Sequence, residues 1–237
     1  HQTMLERIKG AQFQQLFVCT EKKYSNTENI TYLNFAKWSA EQIQILNELY
    51  PLDSSLKIIT ITGTNGKTTT ADFVRQICVN QKINVLCIGT LGVWFNENKV
   101  NDFGLTTPNF IDLRKYIHQY KSRVLVFETS SHAIEQNRFL NLKVDSAAWT
   151  SFSQDHLDYH KTMKSYYEAK LKLHDSLKEE GKFFYHTTDS DKHKDTDILA
   201  LCQIDYNSKK TFLKISYNKK NLDLAISCLE HIDIKPL

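Results

Sequence analysis

The sequence predicts an α/β fold in which helices flank a mostly parallel β-sheet. Short apolar runs rich in β-branched residues recur along the chain, as in KIITIT (57–62) and RVLVFE (123–128), and such runs are typical of buried strands. Segments with apolar residues at helical spacing lie between them, as in 67–80 and 109–120. Strands that alternate with helices in this way usually pair in parallel and are covered on both faces.

The predicted elements begin with a helix and continue as alternating strands and helices. The helices are expected at about 36–49, 67–80, 109–120, 133–139, 161–178 and 218–231. The strands are expected at 57–62, 83–88, 123–128 and 144–150, with weaker ones near 182–185, 197–201 and 211–216, a hairpin over 92–103 and a polar surface loop over 186–197. Functional loops of a parallel sheet follow the carboxyl ends of its strands, which here are the segments after Thr62, Phe127 and Trp149.

Composition argues against several classes of function. Apolar residues make up 41% and charged residues 24% of the 237 residues, so the chain can bury a core. A net charge of +3 is too balanced to indicate binding to nucleic acid or to an anionic membrane. The five cysteines lack the paired spacing of a zinc site, and no apolar run is long enough to cross a bilayer. We therefore expect a cytoplasmic protein with free thiols and with no nucleic-acid or membrane partner.

Residues 1–50 differ in character from the rest of the chain. They contain short apolar stretches and one amphipathic helix, and the segment 51–55 reads as a break. Fifty residues are too few for a robust core. We therefore expect residues 1–50 to be the remnant of a preceding domain, residues 51–56 to be a linker, and residues 57–237 to form the main domain.

Glycine is scarce but concentrated, since five of the seven glycines lie between Gly63 and Gly104. The first two belong to GTNGKTTT (63–70), which follows a predicted strand and opens a predicted helix. This arrangement cradles nucleoside triphosphates with backbone N–H groups; Lys67 can then reach the β/γ oxygens, and the Thr68 hydroxyl can ligate Mg²⁺. The spacing is G-x-x-G-K-T, shorter than in the general P-loop. The alternative is a glycine-rich turn that happens to contain a lysine.

Acidic and histidine side chains follow the next strands at the same edge. Glu128 ends a predicted strand, where a carboxylate normally ligates the Mg²⁺ of the nucleotide; the alternative is a solvated strand-end acid. The segment SFSQDHLDYH (151–160) packs two Asp and two His into six residues. That density suits a second metal or the carboxyl group of an acceptor, and it equally suits a polar helix cap formed by Asp155 or Asp158.

Two further basic side chains can be interpreted by spacing alone. Arg138 follows Glu128 by ten residues and could bind a substrate carboxylate bidentately, or it could lie on the surface. Lys170 lies in the long predicted helix, where its spacing places it on a solvated face. The pattern of residues therefore leaves the role of Arg138 open and predicts a surface position for Lys170.

Taken together, these segments resemble the Mur ligase family, the ATP-dependent amino-acid ligases of peptidoglycan synthesis. The matching stretches are GTNGKTTT (63–70), TTPN (106–109), ETSSHAIEQNR (128–138), TSFSQDHLDYH (150–160), YYEAK (166–170) and YNKKN (217–221). Their combination most resembles the MurE type. The resemblance covers about residues 55–235 and implies the P-loop ATPase-like central domain of a Mur ligase. Ser151 departs from it, because the family usually has Asn there.

The resemblance implies a role for each matching residue. Residues Gly63, Thr64, Asn65, Gly66, Lys67, Thr68 and Thr69 would hold the phosphates of ATP, and Asn218 and Asn221 would lie near the adenine. Two Mg²⁺ ions would be bound, the first by Thr68 and Glu128, the second by His156 and by Lys170, which matches the family's carbamylated lysine. Lys67, Glu128, His156 and Lys170 form the implied catalytic set. The UDP-muramoyl dipeptide would be held by Thr106, Thr107, Ser130, Gln136 and Arg138.

The implied function is an ATP-dependent acid–amino-acid ligase. It would add meso-diaminopimelate or L-lysine to UDP-N-acetylmuramoyl-L-alanyl-D-glutamate through an acyl phosphate. In the family, a C-terminal domain follows the central one and a uridine-binding domain precedes it, so we expect the 237 residues alone to be an inactive, monomeric fragment without the C-terminal domain. Two alternatives are a folylpolyglutamate synthetase-like ligase, which shares the short phosphate loop, and an ATP-binding module without ligase activity.

Overall fold

Ten strands are seen in the computed structural model, which describes residues 16–19, 30–33, 35–102, 104–139, 142–186, 202–204 and 216–235. The chain divides between Leu49 and Tyr50 into two units. In the first unit, β1 (Leu16–Cys19) pairs in parallel with β2 (Ile30–Leu33), and helix α1 (Phe35–Leu49) follows.

The second unit contains one eight-stranded sheet. Its strands are β3 (Lys57–Thr62), β4 (Val85–Gly89), β5 (Gly92–Phe95), β6 (Asn98–Asn101), β7 (Val124–Glu128), β8 (Val144–Trp149), β9 (Leu177–His186) and β10 (Cys202–Ile204). They lie in the order β10-β9-β8-β3-β7-β4-β5-β6. The pairs from β10 to β4 are parallel, and only the β5–β6 hairpin is antiparallel to its neighbours. The predicted α/β class with a mostly parallel sheet is therefore confirmed.

Helices cover both faces of this sheet, as the apolar runs require. They are α2 (Lys67–Asn80), α3 (Phe110–Tyr120), α4 (Ser131–Glu135), α5 (Leu157–His160), α6 (Met163–Leu171) and α7 (Ser216–His231). Along β7, Leu125 and Phe127 pack into one core, with residues of α3, α4 and α6. Val124 and Val126 point to the other face and pack with α2 and α7. Because successive side chains of a strand alternate between faces, a continuous apolar run fills both cores.

Two predicted helices have different bounds in the structure. The helix expected over 161–178 is shorter in the structure: α6 ends at Leu171, a 3₁₀ segment (Lys172–Ser176) follows, and β9 begins at Leu177. It begins at Met163 because Thr162 caps it, with Oγ1 accepting from the Ser165 N–H at 3.1 Å. The helix expected over 133–139 begins at Ser131 and ends at Glu135, since Ser130 caps it and Asn137 turns left-handed (φ 48°).

The remaining predicted elements are found or lie outside the described residues. The strand expected near 182–185 is part of β9, and the last helix starts two residues earlier than expected. The strand expected near 197–201 and nearly all of 186–197 and 211–216 lie outside the described residues. In the part of the chain that the structure describes, no helix is long and apolar enough to cross a membrane.

The register of the central strands brings three loops together. Ile61 of β3 pairs with Glu128 of β7, and Thr62 pairs with Trp149 of β8. The segments that follow β3, β7 and β8 therefore leave the sheet side by side at its carboxyl edge. This is the edge where open α/β sheets bind ligands.

Candidate functional site

The loop 63–66 between β3 and α2 depends on two glycines. Gly63 (φ 143°) and Gly66 (φ 88°) both have positive φ. A Cβ at Gly63 would lie 2.0 Å from Oγ1 of Thr150, and a Cβ at Gly66 would lie 2.7 Å from Oδ1 of Asn221. Side chains are therefore excluded for reasons of both backbone conformation and space. The absence of side chains at these two glycines lets the loop backbone pack closely against Thr150 and Asn221.

The ammonium group of Lys67 is hydrogen-bonded to carbonyl groups of this loop. Nζ of Lys67 donates to the carbonyl oxygens of Gly63 at 2.8 Å and Thr64 at 2.9 Å. Burial lowers the pKa of Lys67, while the negative charges of Glu128 and Asp155 act in the opposite direction. No side chain caps the start of α2, where Gly66 is the N-cap. Free N–H groups and an ammonium at a helix N-terminus form a site for an anion.

The segment after β8 braces the loop. Ser151 receives the Thr64 N–H on its carbonyl oxygen at 2.9 Å. Its Oγ accepts from the Asn65 N–H at 2.9 Å and donates to the Asn65 carbonyl at 3.0 Å. Oγ1 of Thr64 also accepts from the N–H of Ser153 at 3.1 Å. Ser151 thus bonds to the backbone N–H and carbonyl of Asn65 and to the N–H of Thr64, a role that its position in the sequence does not reveal.

Glu128 ends β7 with a buried carboxylate, which is 1% exposed. It accepts from the Thr68 hydroxyl at 3.0 Å, from the Thr90 N–H at 2.8 Å and from the Thr90 hydroxyl at 3.1 Å. Burial raises the pKa of Glu128, and these hydrogen bonds together with Lys67 oppose that rise. The alternative of a solvated strand-end acid is therefore wrong.

The oxygens around Glu128 fit a magnesium ion. The carboxylate and the Thr68 hydroxyl are hard oxygen donors 3.0 Å apart, the kind that Mg²⁺ prefers. A Cβ at Gly89 would lie 2.0 Å from Oε1 of Glu128, so glycine makes the space in which the carboxylate lies. Thr68 and Glu128 are the two residues that the sequence predicts as ligands of the first Mg²⁺ ion.

Neither Asp155 nor Asp158 caps the helix that follows, so the helix-cap interpretation of the segment 155–160 is wrong. The N-cap of α5 is His156 (φ 52°), and no side chain caps this helix. Asp155 instead accepts from the N–H of His156 at 2.8 Å. The His156 side chain is 41% exposed, and its ring centroid lies 4.9 Å from that of His132 and 6.0 Å from that of Tyr166.

The second histidine of this segment, His160, is buried. Nε2 of His160 lies 2.8 Å from Oγ of Ser131, and its Nδ1 lies 3.6 Å from a carboxylate oxygen of Glu135. Burial lowers the pKa of both His132 and His160. Among the described residues, no three His, Cys, Asp or Glu side chains are arranged to hold a metal ion. A second ion at His156 would therefore need ligands of another kind.

Lys170 lies inside the site and not on a solvated face, so the expectation from its spacing is wrong. It is 1% exposed, and Nζ lies 4.6 Å from the centroid of the Tyr166 ring. The Tyr166 hydroxyl lies 3.2 Å from Oγ1 of Thr64 in the phosphate loop. Burial and the charge of Lys67 lower the pKa of Lys170 to about 7. A large fraction of this amine is uncharged at neutral pH.

The residues predicted to hold the dipeptide substrate are joined by hydrogen bonds. Thr107 donates its hydroxyl to the Glu128 carbonyl at 2.8 Å and accepts from the Ser130 N–H at 3.2 Å. Arg138 donates to the Thr107 carbonyl at 3.1 Å and to the Gln136 side chain at 2.9 Å. Four of the five residues thus form one network beside Glu128. The fifth residue, Thr106, is not part of this network: its Oγ1 lies 3.2 Å from Oγ1 of Thr90, which donates to the Glu128 carboxylate.

Asn218 and Asn221 both lie on α7, and Asn221 lies against the loop 63–66. The Asn221 side chain is buried against Gly66, whereas Asn218 is half-buried. Asn221 is therefore placed at the phosphate loop, and the adenine contact of either residue stays a prediction.

Thr90 is the site residue that the sequence motifs do not indicate. It directly follows β4 in the sheet order β3-β7-β4 and supplies two of the hydrogen bonds to Glu128. The only signal for Thr90 in the sequence is that it follows a predicted strand, because the carboxyl ends of β3, β4, β7 and β8 lie at the same edge of the sheet.

The chain has clear sequence relatives. Residues 61–231 match the model of the Mur ligase middle domain. The UDP-N-acetylmuramoyl-L-alanyl-D-glutamate–2,6-diaminopimelate ligase of Rickettsia bellii is 38% identical over 173 residues, which is 69% of this chain and 35% of that protein. The enzyme of the same name from Helicobacter hepaticus is 40% identical over 120 residues, 49% of this chain and 26% of that protein. The chain thus spans about a third or less of the length of these two relatives.

Solved structures share the fold at lower identity. A UDP-N-acetylmuramoyl-L-alanyl-D-glutamate–2,6-diaminopimelate ligase superposes with a TM-score of 0.67 at 22% identity, covering 92% of this chain and 52% of that chain. The MurF ligase of Thermotoga maritima, solved with ADP, gives 0.65 at 13% identity, covering 100% and 58%. The apo FPGS of L. casei gives 0.62 at 12% identity, covering 91% and 66%. The match over residues 61–231 establishes that this chain belongs to the Mur ligase family and contains its middle domain.

Proposed function

We propose that these residues belong to an ATP-dependent ligase that adds a diamino acid to UDP-N-acetylmuramoyl-L-alanyl-D-glutamate. The observation that carries the proposal is that the phosphate loop, the Thr68–Glu128 oxygen pair and the Thr107–Arg138 network meet at one edge of the sheet. The names of the relatives favour 2,6-diaminopimelate as the diamino acid. The likeness to FPGS concerns the fold and therefore keeps a folate ligase as the second candidate.

Each group at this edge has a role in such a reaction. Lys67 would leave the carbonyl groups of Gly63 and Thr64 to bind the γ-phosphate, beside the free N–H groups of α2. Thr68 and Glu128 would hold Mg²⁺, which neutralises charge on the phosphate oxygens when it is bound. Arg138 would orient the acceptor carboxylate for in-line attack.

The chemistry requires positioning more than a protein nucleophile. The carboxylate oxygen of the D-glutamyl side chain forms a bond to the γ-phosphorus, and the bond from that phosphorus to the β-phosphate oxygen breaks, which gives an acyl phosphate and ADP. The amine then bonds to the acyl carbon, loses a proton, and inorganic phosphate leaves. Electrostatic stabilisation by fixed charges is the main contribution that this site could supply.

The buried amine of Lys170 fits the carbamate that the family resemblance implies. A neutral amine reacts with CO₂ to form a carbamate and release one proton, and this turns a cation into an anionic oxygen ligand. Lys170 forms no ion pair with the described residues, and its pKa of about 7 leaves much of it uncharged. With His156 it would hold the second Mg²⁺, where three His, Cys, Asp or Glu ligands are not found among the described residues.

The carbamate is testable by ¹³C NMR in ¹³C-bicarbonate. Because the uncharged fraction of Lys170 grows as the pH rises through about 7, we expect a stronger carbamate signal at pH 8 than at pH 6. The signal should be absent from Lys170→Met and retained in Lys164→Met, whose side chain is 85% exposed. A signal that Lys170→Met retains would contradict the assignment.

The wider organisation is also part of the proposal. Residues 1–50 would be the remnant of the UDP-binding domain, 51–56 a linker, and 57–237 the ATP-binding ligase domain. The 237 residues alone would be monomeric and would turn over little or not at all. A cytoplasmic location is proposed because ATP and nucleotide-linked precursors are present there.

Phosphate release tests the proposed function. In the protein with whatever sequence naturally flanks these residues, release from ATP should require both the UDP-muramoyl dipeptide and a diamino acid. It should be lost in Lys67→Ala and kept in Lys164→Ala. Release that depends on a folate and glutamate would instead select the second candidate. Hydrolysis that needs neither substrate and survives Lys67→Ala would exclude both ligases.

A further inference from the structure

Thr90 occupies an unusual place between two parts of the site. Its N–H donates to Oε1 of Glu128 at 2.8 Å, and its hydroxyl donates to Oε2 at 3.1 Å. Its Oγ1 also lies 3.2 Å from Oγ1 of Thr106. The Thr90 hydroxyl therefore contacts both the carboxylate of the proposed Mg²⁺ ligand and Thr106, a residue of the proposed dipeptide-binding set.

The direction of these hydrogen bonds follows from proton counting. A threonine hydroxyl carries one proton, and an ionised carboxylate only accepts. When Thr90 gives its proton to Glu128, the contact with Thr106 is made by the proton of Thr106. The three groups then form a chain in which Thr106 donates to Thr90 and Thr90 donates to Glu128. A ligand that accepts the Thr106 proton would remove one end of this chain.

We propose that Thr90 is a positioning residue that couples the dipeptide-binding segment to the magnesium ligand Glu128. The inference rests on the proposed function, since it needs an anionic acceptor at Thr106 and a metal at Glu128. An oxyanion of the acceptor that takes the Thr106 proton frees Thr90 to donate to Thr106, which weakens one hydrogen bond to Oε2. The electron density of Oε2 then becomes available to the metal. Occupation of the acceptor site and metal binding thereby favour each other.

A purely structural role is the competing explanation, because a buried carboxylate needs donors wherever it lies. The two explanations differ at Thr106. If Thr90 only satisfies Glu128, then removal of the Thr106 hydroxyl leaves the metal site unchanged. If the chain couples the two sites, Thr106→Val alters metal binding although Thr106 does not touch Glu128. The backbone N–H of Thr90 remains in either variant.

The experiment is a double-mutant cycle on the 237-residue chain. Mn²⁺ binding is measured by electron paramagnetic resonance with the non-hydrolysable analogue AMPPCP bound, in Thr90→Val, Thr106→Val and the double variant. We expect Thr90→Val to raise the Mn²⁺ affinity about fivefold, because it removes the hydroxyl bond to Oε2, and Thr106→Val to raise it about threefold, because it removes the donor that polarises this bond. The double variant should change it no more than Thr90→Val alone, because both changes break the same chain. Thr90→Ser, which keeps the hydroxyl, should restore the affinity to within about twofold of wild type.

Thr60→Val is the control. Thr60 also forms a hydroxyl pair, with Thr129, although that pair is buried whereas the Thr90–Thr106 pair is exposed. Within the described ranges no hydrogen bond joins the Thr60–Thr129 pair to the Glu128 carboxylate. It should lower stability without changing the Mn²⁺ affinity. Additive effects of Thr90→Val and Thr106→Val, or no effect of Thr106→Val, would overturn the coupling and leave the proposed function standing. Failure of the wild-type chain to bind Mn²⁺ with AMPPCP would overturn both.

Discussion

Glu128 and Lys170 are two ionisable side chains that are almost fully buried beside one loop. Burial of a charge is costly unless hydrogen bonds or opposite charges compensate for it. Glu128 has three donors from Thr68 and Thr90. Lys170 has the face of the Tyr166 ring, and its charge is opposed by Lys67. The hydrogen bonds therefore oppose the rise that burial causes in the pKa of Glu128, whereas the pKa of the amine is lowered and the amine is shifted toward its neutral form.

The buried amine predicts a specific pH dependence of stability. The pKa of Lys170 is lowered from 10.5 to about 7. Between these values the unfolded chain binds a proton that the folded chain has released, so this residue makes the free energy of unfolding rise with pH from about 7 to 10. In CO₂-free buffer, Lys170→Met should be more stable than wild type by up to about 5 kcal/mol at pH 6.5. Urea titrations should show this difference shrinking toward pH 10; a difference independent of pH would contradict the assignment.

Gly89 is expected to be intolerant of even one methyl group. A Cβ there would lie 2.0 Å from Oε1 of Glu128, so Gly89→Ala must displace the carboxylate. We expect a loss of about 1–3 kcal/mol in the free energy of unfolding and a weaker dependence of nucleotide affinity on Mg²⁺. Gly104→Ala is the control, because Gly104 has φ 63° but no atom within 4 Å of the added Cβ. It should cost stability through backbone strain alone and leave the Mg²⁺ dependence intact.

At the scale of elements, the phosphate loop owes its shape to the segment after β8. The loop residues Thr64 and Asn65 bond mainly to Ser151 and Ser153. Parallel strand order makes this contact inevitable, because β3 and β8 are neighbours and end at the same level. The two segments therefore act as one structural element, although 86 residues separate Asn65 from Ser151.

Ser151 is the residue through which this bracing is tested. Ser151→Ala removes the Oγ hydrogen bonds to the backbone N–H and carbonyl of Asn65. We therefore expect the affinity for Mg²⁺-ATP to fall about fivefold. Ser151→Asn, which restores the residue usual in the family, should retain the affinity. Isothermal titration calorimetry measures both, with circular dichroism to verify folding. Equal losses in the two variants would show that bracing does not depend on a side-chain donor and acceptor at this position.

The strands and turns that depend on the local residue pattern could be predicted from the sequence. Apolar runs are sufficient to predict β3, β7 and β8, and GTNGKTTT is sufficient to predict the turn into α2. The helix predicted over 161–178 is too long, because the α-helix ends at Leu171 and the chain continues as a 3₁₀ segment and then as β9 from Leu177. Thr90 and the burial of Lys170 depend on which strands and helices become neighbours. Spacing within one segment carries no information about that.

At the scale of the whole molecule, strand order creates the site. β3 lies between β7 and β8 in the second unit, so the loop proposed to bind phosphate lies between the segment that supplies the carboxylate and the segment that braces it. The β4 end adds Thr90, and the 106–107 segment connects through it. Cores on both faces of the sheet fix these strands in place. The site is therefore a consequence of topology as much as of motif.

The most direct measurement is equilibrium binding of ATP to the 237-residue chain with and without Mg²⁺. We expect wild type to bind ATP measurably only with Mg²⁺, and Lys67→Ala to lose about tenfold or more in affinity. Lys164→Ala, on an exposed face of α6, should match wild type. Binding that is unaffected by Mg²⁺ and equal in all three proteins would contradict the assignment of this edge as an ATP site.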